Sequence, residues 1–316
     1  MSAVFSRLAV IGCGLIGSSV ARAAAASGAV SSIALYDADA SVLTRAAALG
    51  LGEAAGSASE AARGADLIIL ATPVGAMGFA AEAMAAGIGE GAVVSDVGST
   101  KRAVIDAVAP HIPAHAFFIP GHPIAGTEQS GPDAGFASLF EGRWAAITPL
   151  PDPRPAYAEA AERLAAFWSR LGAKVETMDP DRHDLVLAIT SHVPHLIAYC
   201  IVATAEDLEQ VTEQEVVKYS AGGFRDFTRI AASDPTMWRD VFLANRDAVL
   251  EILGRFSEDL SALQRAIRWG DGDTLFQTFS RARRVRREVI EAGQDTPTPN
   301  FGRDAPRQGP DEDAAS

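Results

Sequence analysis

A glycine triplet at the end of an apolar run limits the fold of this chain more than any other feature. Residues 8–19 read LAVIGCGLIGSS, so Gly12, Gly14 and Gly17 stand in the spacing G-x-G-x-x-G. Alone, that spacing marks only a tight, close-packed turn. Here a strand-like run precedes it and an Ala-rich, helix-like segment follows, the strand–turn–helix setting in which the motif binds a dinucleotide. Gly12 then makes the turn, Gly14 lets backbone approach a pyrophosphate, and Gly17 lets helix pack on strand, with Leu15 and Ile16 in the same cofactor-facing turn. The helix N-terminus meets the phosphate charge with free N–H groups.

The alternation continues through the first half. Residues 8–12, 32–37, 66–72, 92–97 and 116–121 are short apolar runs of the kind found in strands covered on both faces, and 15–27, 39–49, 75–87 and 100–109 have helical composition between them. The expected fold is α/β, a Rossmann-type doubly wound parallel sheet in a domain spanning residues 1–179, which the segments 143–149 and 173–179 and the helix-like 156–171 finish. From Pro180 the texture becomes all-helical, with segments at 181–208, 211–220, 234–269 and 272–292, and residues 221–235 form its one non-periodic insert. Residues 180–293 are thus expected to be an all-α substrate and dimerisation domain, and the Pro-rich polar tail 294–316 to be disordered.

A length of 316 residues suits two domains. The net charge of −13 argues against a nucleic-acid surface, which needs clustered Lys and Arg, so an anionic substrate would require a local basic pocket. Cys13 and Cys200 have no paired spacing, and both are read as small buried hydrophobes in a reducing cytoplasm. The apolar stretch 185–203 approaches the length of a membrane span, but His192, His195 and Pro194 would be costly in lipid, so it is read as a buried core helix. The chain is expected to be cytoplasmic, with no membrane partner.

Asp37 lies at the end of the second apolar run, twenty residues beyond Gly17, where a carboxylate accepts from a ribose diol and repels a 2′-phosphate. With no Lys or Arg in YDADAS to replace it, NAD is expected rather than NADP; a plainer use, with Asp37 or Asp39 capping the next helix, is compatible with this. Thr72, Pro73 and Val74 follow the third run, where backbone would approach the nicotinamide ribose. Ser99, in SDVGSTK, and His122, in GHPIAGTE, end the next two runs and so face one crevice at the carboxyl ends of the strands. On these residues alone His122 is either a proton acceptor or a hydrogen-bonded loop histidine. His192 and His195 share a helix face that Pro194 should kink; with no cysteine or matched carboxylate beside them, no metal site is expected. Arg225 and Arg229, in GGFRDFTRI, offer a fork for a carboxylate, or a salt bridge from Arg225 to Asp226 or Glu128.

Together GCGLIGSS, DVGSTK, GHPIAGTE, SHVPH and GGFRDFTRIAASDPTMW, in that order over about residues 7–290, resemble the prephenate/arogenate (cyclohexadienyl) dehydrogenase family of tyrosine biosynthesis. The resemblance implies NAD-dependent oxidative decarboxylation of a 4-hydroxycyclohexadiene acid to a phenol. It implies that His122 takes the ring hydroxyl proton, that Ser99 bonds the same hydroxyl or orients His122, and that Arg229 clamps a substrate carboxylate. His195 and Thr127 would line the substrate site, with Glu128 and Arg225 as a charged gate. Prephenate is the expected substrate, with arogenate a second; no single residue decides between them. The resemblance and the helical composition imply a homodimer. With no mutase segment before Ser6 or regulatory domain after Gly293, tyrosine inhibition is expected at the active site. A β-hydroxyacid or imine oxidoreductase shares the glycine turn but does not account for GHPIAGTE with GFRDFTRI, and an NAD-responsive binding protein gives His122 and Arg229 no reason to share a cleft.

Overall fold

Strand β1 (Phe5–Ile11) sets the core by sending alternate side chains to opposite faces, Leu8 and Val10 to one side and Ala9 and Ile11 to the other, all fully buried. A computed structural model describes residues 2–212, 218 and 221–291 of the chain. After β1 come α1 (Leu15–Ala26), β2 (Val30–Tyr36), α2 (Ala40–Ala48), the two-residue β3 (Glu53–Ala54), α3 (Ala58–Ala62) and β4 (Leu67–Leu70). Then follow α4 (Met77–Met84), β5 (Val93–Asp96), α5 (Arg102–Val108) and β6 (Phe117–Phe118). These strands form a parallel sheet in the order β3-β2-β1-β4-β5-β6. Helix α1 and Leu164, Phe167 and Trp168 of α6 (Pro155–Arg170) cover one face; α3, α4 and α5 cover the other. The direction of winding reverses between β1 and β4, which opens a crevice at their carboxyl ends.

The expected strand at 116–121 divides. Its parallel pairing ends at Phe118, and after Pro120 the chain enters a second sheet of β7 (Gly121–Pro123), β8 (Trp144–Ile147) and β9 (Lys174–Thr177). Strand β7 runs antiparallel to β8, pairing His122 with Ala146, while β8 and β9 are parallel. Residues 143–149 and 173–179 therefore build a separate mixed sheet rather than extend the first. Pro123 is tolerated because β7 is an edge strand, where a missing N–H costs no ladder bond.

Helix α7 (Pro180–Leu187), a π-helical turn (Ala188–His192) and α8 (Val193–Thr212) follow. The π turn is the local answer to Pro194, which has no N–H to return to the carbonyl one turn back. The stretch read as a buried core helix is largely uncovered in the protomer: only 28% of its most apolar window is buried, with Leu187, Ala188, His192, Val193 and Ala198 forming the inward stripe. By length and composition alone, Pro180–Glu209 could cross a membrane. The expected insert 221–235 is folded, as α9 (Gly222–Thr228), a 3-10 turn (Arg229–Ala232) and the start of α10 (Pro235–Ala244), capped by Asp234. The expected single helix 234–269 is two, because Asn245 turns the chain between α10 and α11 (Arg246–Trp269). Helix α12 (Gly272–Glu291) ends the described chain; most of 211–220 and all of 294–316 lie outside the described residues.

Two glycines of the β1–α1 turn are separable by stability. A Cβ on Gly17 would lie 1.9 Å from the Gly12 carbonyl oxygen, whereas one on Gly14 would meet nothing within 4 Å. Gly17→Ala should therefore lose more than about 2 kcal/mol in chemical denaturation, while Gly14→Ala unfolds like the wild type.

Candidate active site

The crevice between β1 and β4 is built for a dinucleotide. Gly12 has φ +100, and a Cβ there would strike the Ala71 carbonyl at 2.6 Å, so only glycine can make this turn. Gly14 is the N-cap of α1, no side chain caps the helix, and its first N–H groups are left for a ligand, with Leu15 and Ile16 half-buried in that turn. The Asp37 carboxylate accepts from the Cys13 N–H at 2.7 Å and the Asp39 N–H at 2.9 Å, which ties it to the glycine turn. Asp39 is the residue that caps α2, through the Ser41 and Val42 N–H groups. On the β4 side, Thr72 Oγ1 is buried without a hydrogen-bond partner, and Pro73 and Val74 start a 3-10 turn. An uncapped helix end, an anchored acid and an orphaned hydroxyl around one crevice fit the phosphates and riboses of NAD.

Cys13 is an inert member of this turn, its thiol pushed up to about 12 by burial and by the Asp37 charge. Cys200 is exposed, contrary to the expectation that both cysteines are buried: it lies on a face of α8 left open among the described residues.

Beside the crevice, β7 is held by a buried ion pair. Lys101 Nζ donates to Asp96 Oδ2 at 2.5 Å and to the Gly121 carbonyl at 2.5 Å, and both side chains are fully buried. Asp96 Oδ1 also accepts from the Gly121 N–H. Burial pushes the Lys101 ammonium down while Asp96 pulls it up, with a net lowering. The contacts on Gly121 fix the register of its neighbour, His122.

His122 is buried, and its Nδ1 lies 2.9 Å from His183 Nε2. His183 Nδ1 lies 2.8 Å from Asp184 Oδ1. Asp184 in turn accepts from the Lys101 N–H at 2.6 Å and the Arg102 N–H at 2.9 Å, where α5 begins. Burial, then His183, Lys101 and His192, hold the His122 imidazole well below its usual 6.5. Burial also lowers His183, against the opposing pull of Asp184. For Asp184, burial alone would raise the carboxyl, but hydrogen bonds from His183 and the two amides outweigh it and hold the acid below its usual value.

Further along, the two histidines of SHVPH part company. His192 is fully buried, with Nδ1 3.0 Å from Asn245 Nδ2 and the Ser99 main chain beside it. His195 stacks on Trp238, centroids 3.7 Å apart, and bonds the Ser191 carbonyl through Nδ1. Burial lowers His195, and the nearby Arg229 charge adds to this. Arg229 pairs with Glu128 at 3.3 Å. The partner of Glu128 here is thus Arg229, one helical turn beyond Arg225, and both arginines are exposed. Thr127 Oγ1 accepts from the Gln129 N–H in the same loop. His122, Ser99, His192, His195, Arg229 and Glu128 thus form one connected neighbourhood. His183 occupies His122 Nδ1 and so helps to set the orientation of that ring. Among the described residues no group of His, Cys, Asp and Glu is placed to hold a metal.

Sequence reasoning missed His183, Asp184 and Lys101. A usable signal was present in α7, where Pro180, His183, Asp184 and Leu187 form the buried i, i+3, i+4, i+7 stripe; two titratable side chains on a core-facing stripe must be partnered.

A glycine-turn dinucleotide crevice, with a buried histidine at the carboxyl end of a neighbouring strand, is the arrangement of a nicotinamide-dependent oxidoreductase. Residues 20–177 match the family model of the prephenate dehydrogenase nucleotide-binding domain and residues 179–281 that of the prephenate dehydrogenase dimerization domain, so the chain belongs to this family. It is 42% identical to the cyclohexadienyl dehydrogenase of Zymomonas mobilis over 90% of this chain and 96% of that one. It is 34% identical to the prephenate dehydrogenase of Bacillus subtilis over 69% of this chain and 58% of that one. Among solved structures, the Aquifex aeolicus prephenate dehydrogenase in complex with hydroxyphenyl propionate and NAD+ superposes with a TM-score of 0.82 at 31% identity, covering 90% of this chain and 98% of that one.

The buried histidines predict acid sensitivity. Burial pushes His192 down to about 4, against 6.5 for an unperturbed imidazole. The unfolded chain therefore binds more protons than the folded one, and stability present above pH 6.5 is lost as pH falls toward 4. His192 alone should cost about 2 kcal/mol between pH 7 and pH 5 in urea denaturation, a loss that His192→Gln would diminish.

Proposed function

We propose that this chain oxidises prephenate to 4-hydroxyphenylpyruvate and CO2 with NAD+, and accepts arogenate as a second substrate. The two acids share the 4-hydroxycyclohexadiene ring and its carboxylate, and differ only in the side-chain keto or ammonium group. The 42% identical relative bears the name of the ring class, which favours activity on both. The observation that supports the reading is the buried His122, kept neutral by burial and held at the carboxyl end of β5 through the contacts on Gly121.

Gly12, Gly14, Leu15, Ile16 and Gly17 hold the pyrophosphate, Asp37 the adenosine ribose, and Thr72, Pro73 and Val74 the nicotinamide side. When bound, NAD+ supplies the hydride acceptor for C4 of the substrate ring. His122, with Nδ1 committed to His183, takes the C4 hydroxyl proton through Nε2, a task for which a neutral imidazole is suited. Ser99 bonds the same hydroxyl. Arg229 receives a substrate carboxylate in place of the Glu128 carboxylate that it now holds, and Arg225, Thr127 and the His195–Trp238 stack border that end of the cleft. The electrons of the departing C1–carboxylate bond complete the aromatic ring, so the protein needs to position and deprotonate, and little else.

The reading places the chain in tyrosine biosynthesis in the cytoplasm, as a homodimer. The apolar side chains left uncovered on the helical half, among them Ile201, Leu250, Trp269 and Phe276, are the surface that a second copy covers.

Formation of NADH, followed by absorbance with prephenate and arogenate in turn, tests the activity. His122→Asn should lower kcat on the order of 10²–10⁴-fold with NAD+ affinity retained; an active variant would refute the base. Light scattering should report a dimer, not a 33.0 kDa particle.

A further inference from the structure

Behind His122 stand two buried groups, His183, fully buried, and Asp184, 5% exposed. Both come from α7, whereas His122 comes from β7 and the amides that hold Asp184 come from the start of α5. Three separate elements thus converge on one line of hydrogen bonds, from the Lys101 and Arg102 N–H groups through Asp184 and His183 to His122 Nδ1.

Resting on the reading of His122 as the base, we infer that His183 and Asp184 are a positioning pair that fixes His122 in the one tautomer able to take a proton from the substrate. The argument starts at the amide end. Two main-chain N–H groups can only donate, so Asp184 must accept from both, which it does best as a carboxylate. A carboxylate at 2.8 Å from His183 Nδ1 requires a hydrogen on that nitrogen. In a neutral His183 the other nitrogen, Nε2, is then a lone pair. That lone pair faces His122 Nδ1 at 2.9 Å, which must therefore carry the hydrogen of its own ring. The lone pair of His122 is left on Nε2, the nitrogen free of His183. Each bond dictates the next, and reversing any of them sets two hydrogens or two lone pairs face to face inside the protein. The near-perpendicular arrangement of the two rings, 69° between planes, also keeps His122 from rotating without breaking the line.

A nearby positive charge reinforces the order. Lys101, paired to Asp96, sits by both imidazoles and disfavours protonating either before substrate arrives. Once His122 accepts the substrate proton, its Nδ1 hydrogen can move to His183 Nε2, and the resulting cation then rests against Asp184. No electrons are exchanged in that shift, and one N–H bond forms as another breaks.

His183→Leu, of similar volume and without a lone pair, and His183→Gln, whose side-chain carbonyl can accept from His122 Nδ1, separate this role from simple filling of space. Steady-state kinetics with saturating NAD+ should show kcat of the Leu variant reduced on the order of 100-fold with KM within about threefold, and the Gln variant recovering at least about tenfold of that loss. A Leu variant that keeps kcat within threefold of wild type, or a Gln variant as slow as Leu, would overturn the proposal. Should either variant fail to fold, 15N NMR of the histidine rings in the wild-type enzyme decides without it: His122 must be protonated on Nδ1 and bare on Nε2, and the opposite tautomer overturns the assignment. An inactive wild type with that tautomer in place would refute the substrate reading instead, and leave the positioning pair standing.

Discussion

The Lys101 ammonium lies wholly inside the protein, where water no longer compensates its charge, and the Asp96 carboxylate and the Gly121 carbonyl are what offset that loss. Burying such a charge is tolerable only with the geometry intact, so the end of β5, the start of α5 and the first residue of β7 are locked in one arrangement. Truncating one member of a buried pair leaves the other uncompensated, at a cost of about 3–5 kcal/mol. The parallel sheet ends here and the small mixed sheet starts here. His122 owes its register to this junction, while burial, then His183 and only then Lys101 lower its basicity.

Asp184 adds a second constraint of the same kind. Its carboxylate serves the first turn of α5 from a helix of the other half of the chain, and Asn245 donates to its main-chain carbonyl from the break between α10 and α11. The Rossmann half and the helical half are therefore joined by directional bonds at the place where the chemistry is proposed. The pair between Glu128 and Arg229 also joins the two halves, but it is partly solvated and exchangeable. The first junction is buried and fixed, and the second is open to water.

Local features of the sequence carried much of this. The glycine spacing, the apolar runs and the acid at position 37 each declare themselves within a short window, because turn geometry and strand burial are local matters. The division of 116–121 between two sheets was not legible: it depends on Gly121 fitting against Ser95 and Asp96, a contact between distant segments. The break at Asn245 was hidden for a similar reason, since its side-chain partners, His192 and the Asp184 carbonyl, come from another helix. His122, Arg229 and Glu128 could be picked out by residue type and motif. Of their supporting residues, His183 and Asp184 were marked only by the buried stripe of α7, and Lys101 not at all, because a lysine looks like an ordinary surface charge until folding removes the water around it.

The capping of α5 by Asp184 also bears on how this architecture can be rearranged. A nucleotide-binding half transplanted onto a foreign helical partner would keep its glycine turn and could still hold a dinucleotide. It would lose the carboxylate that finishes its own helix, and with it the far end of the proton wiring behind residue 122. On the proposed mechanism, cofactor binding is thus portable in this fold, whereas turnover depends on the matched halves.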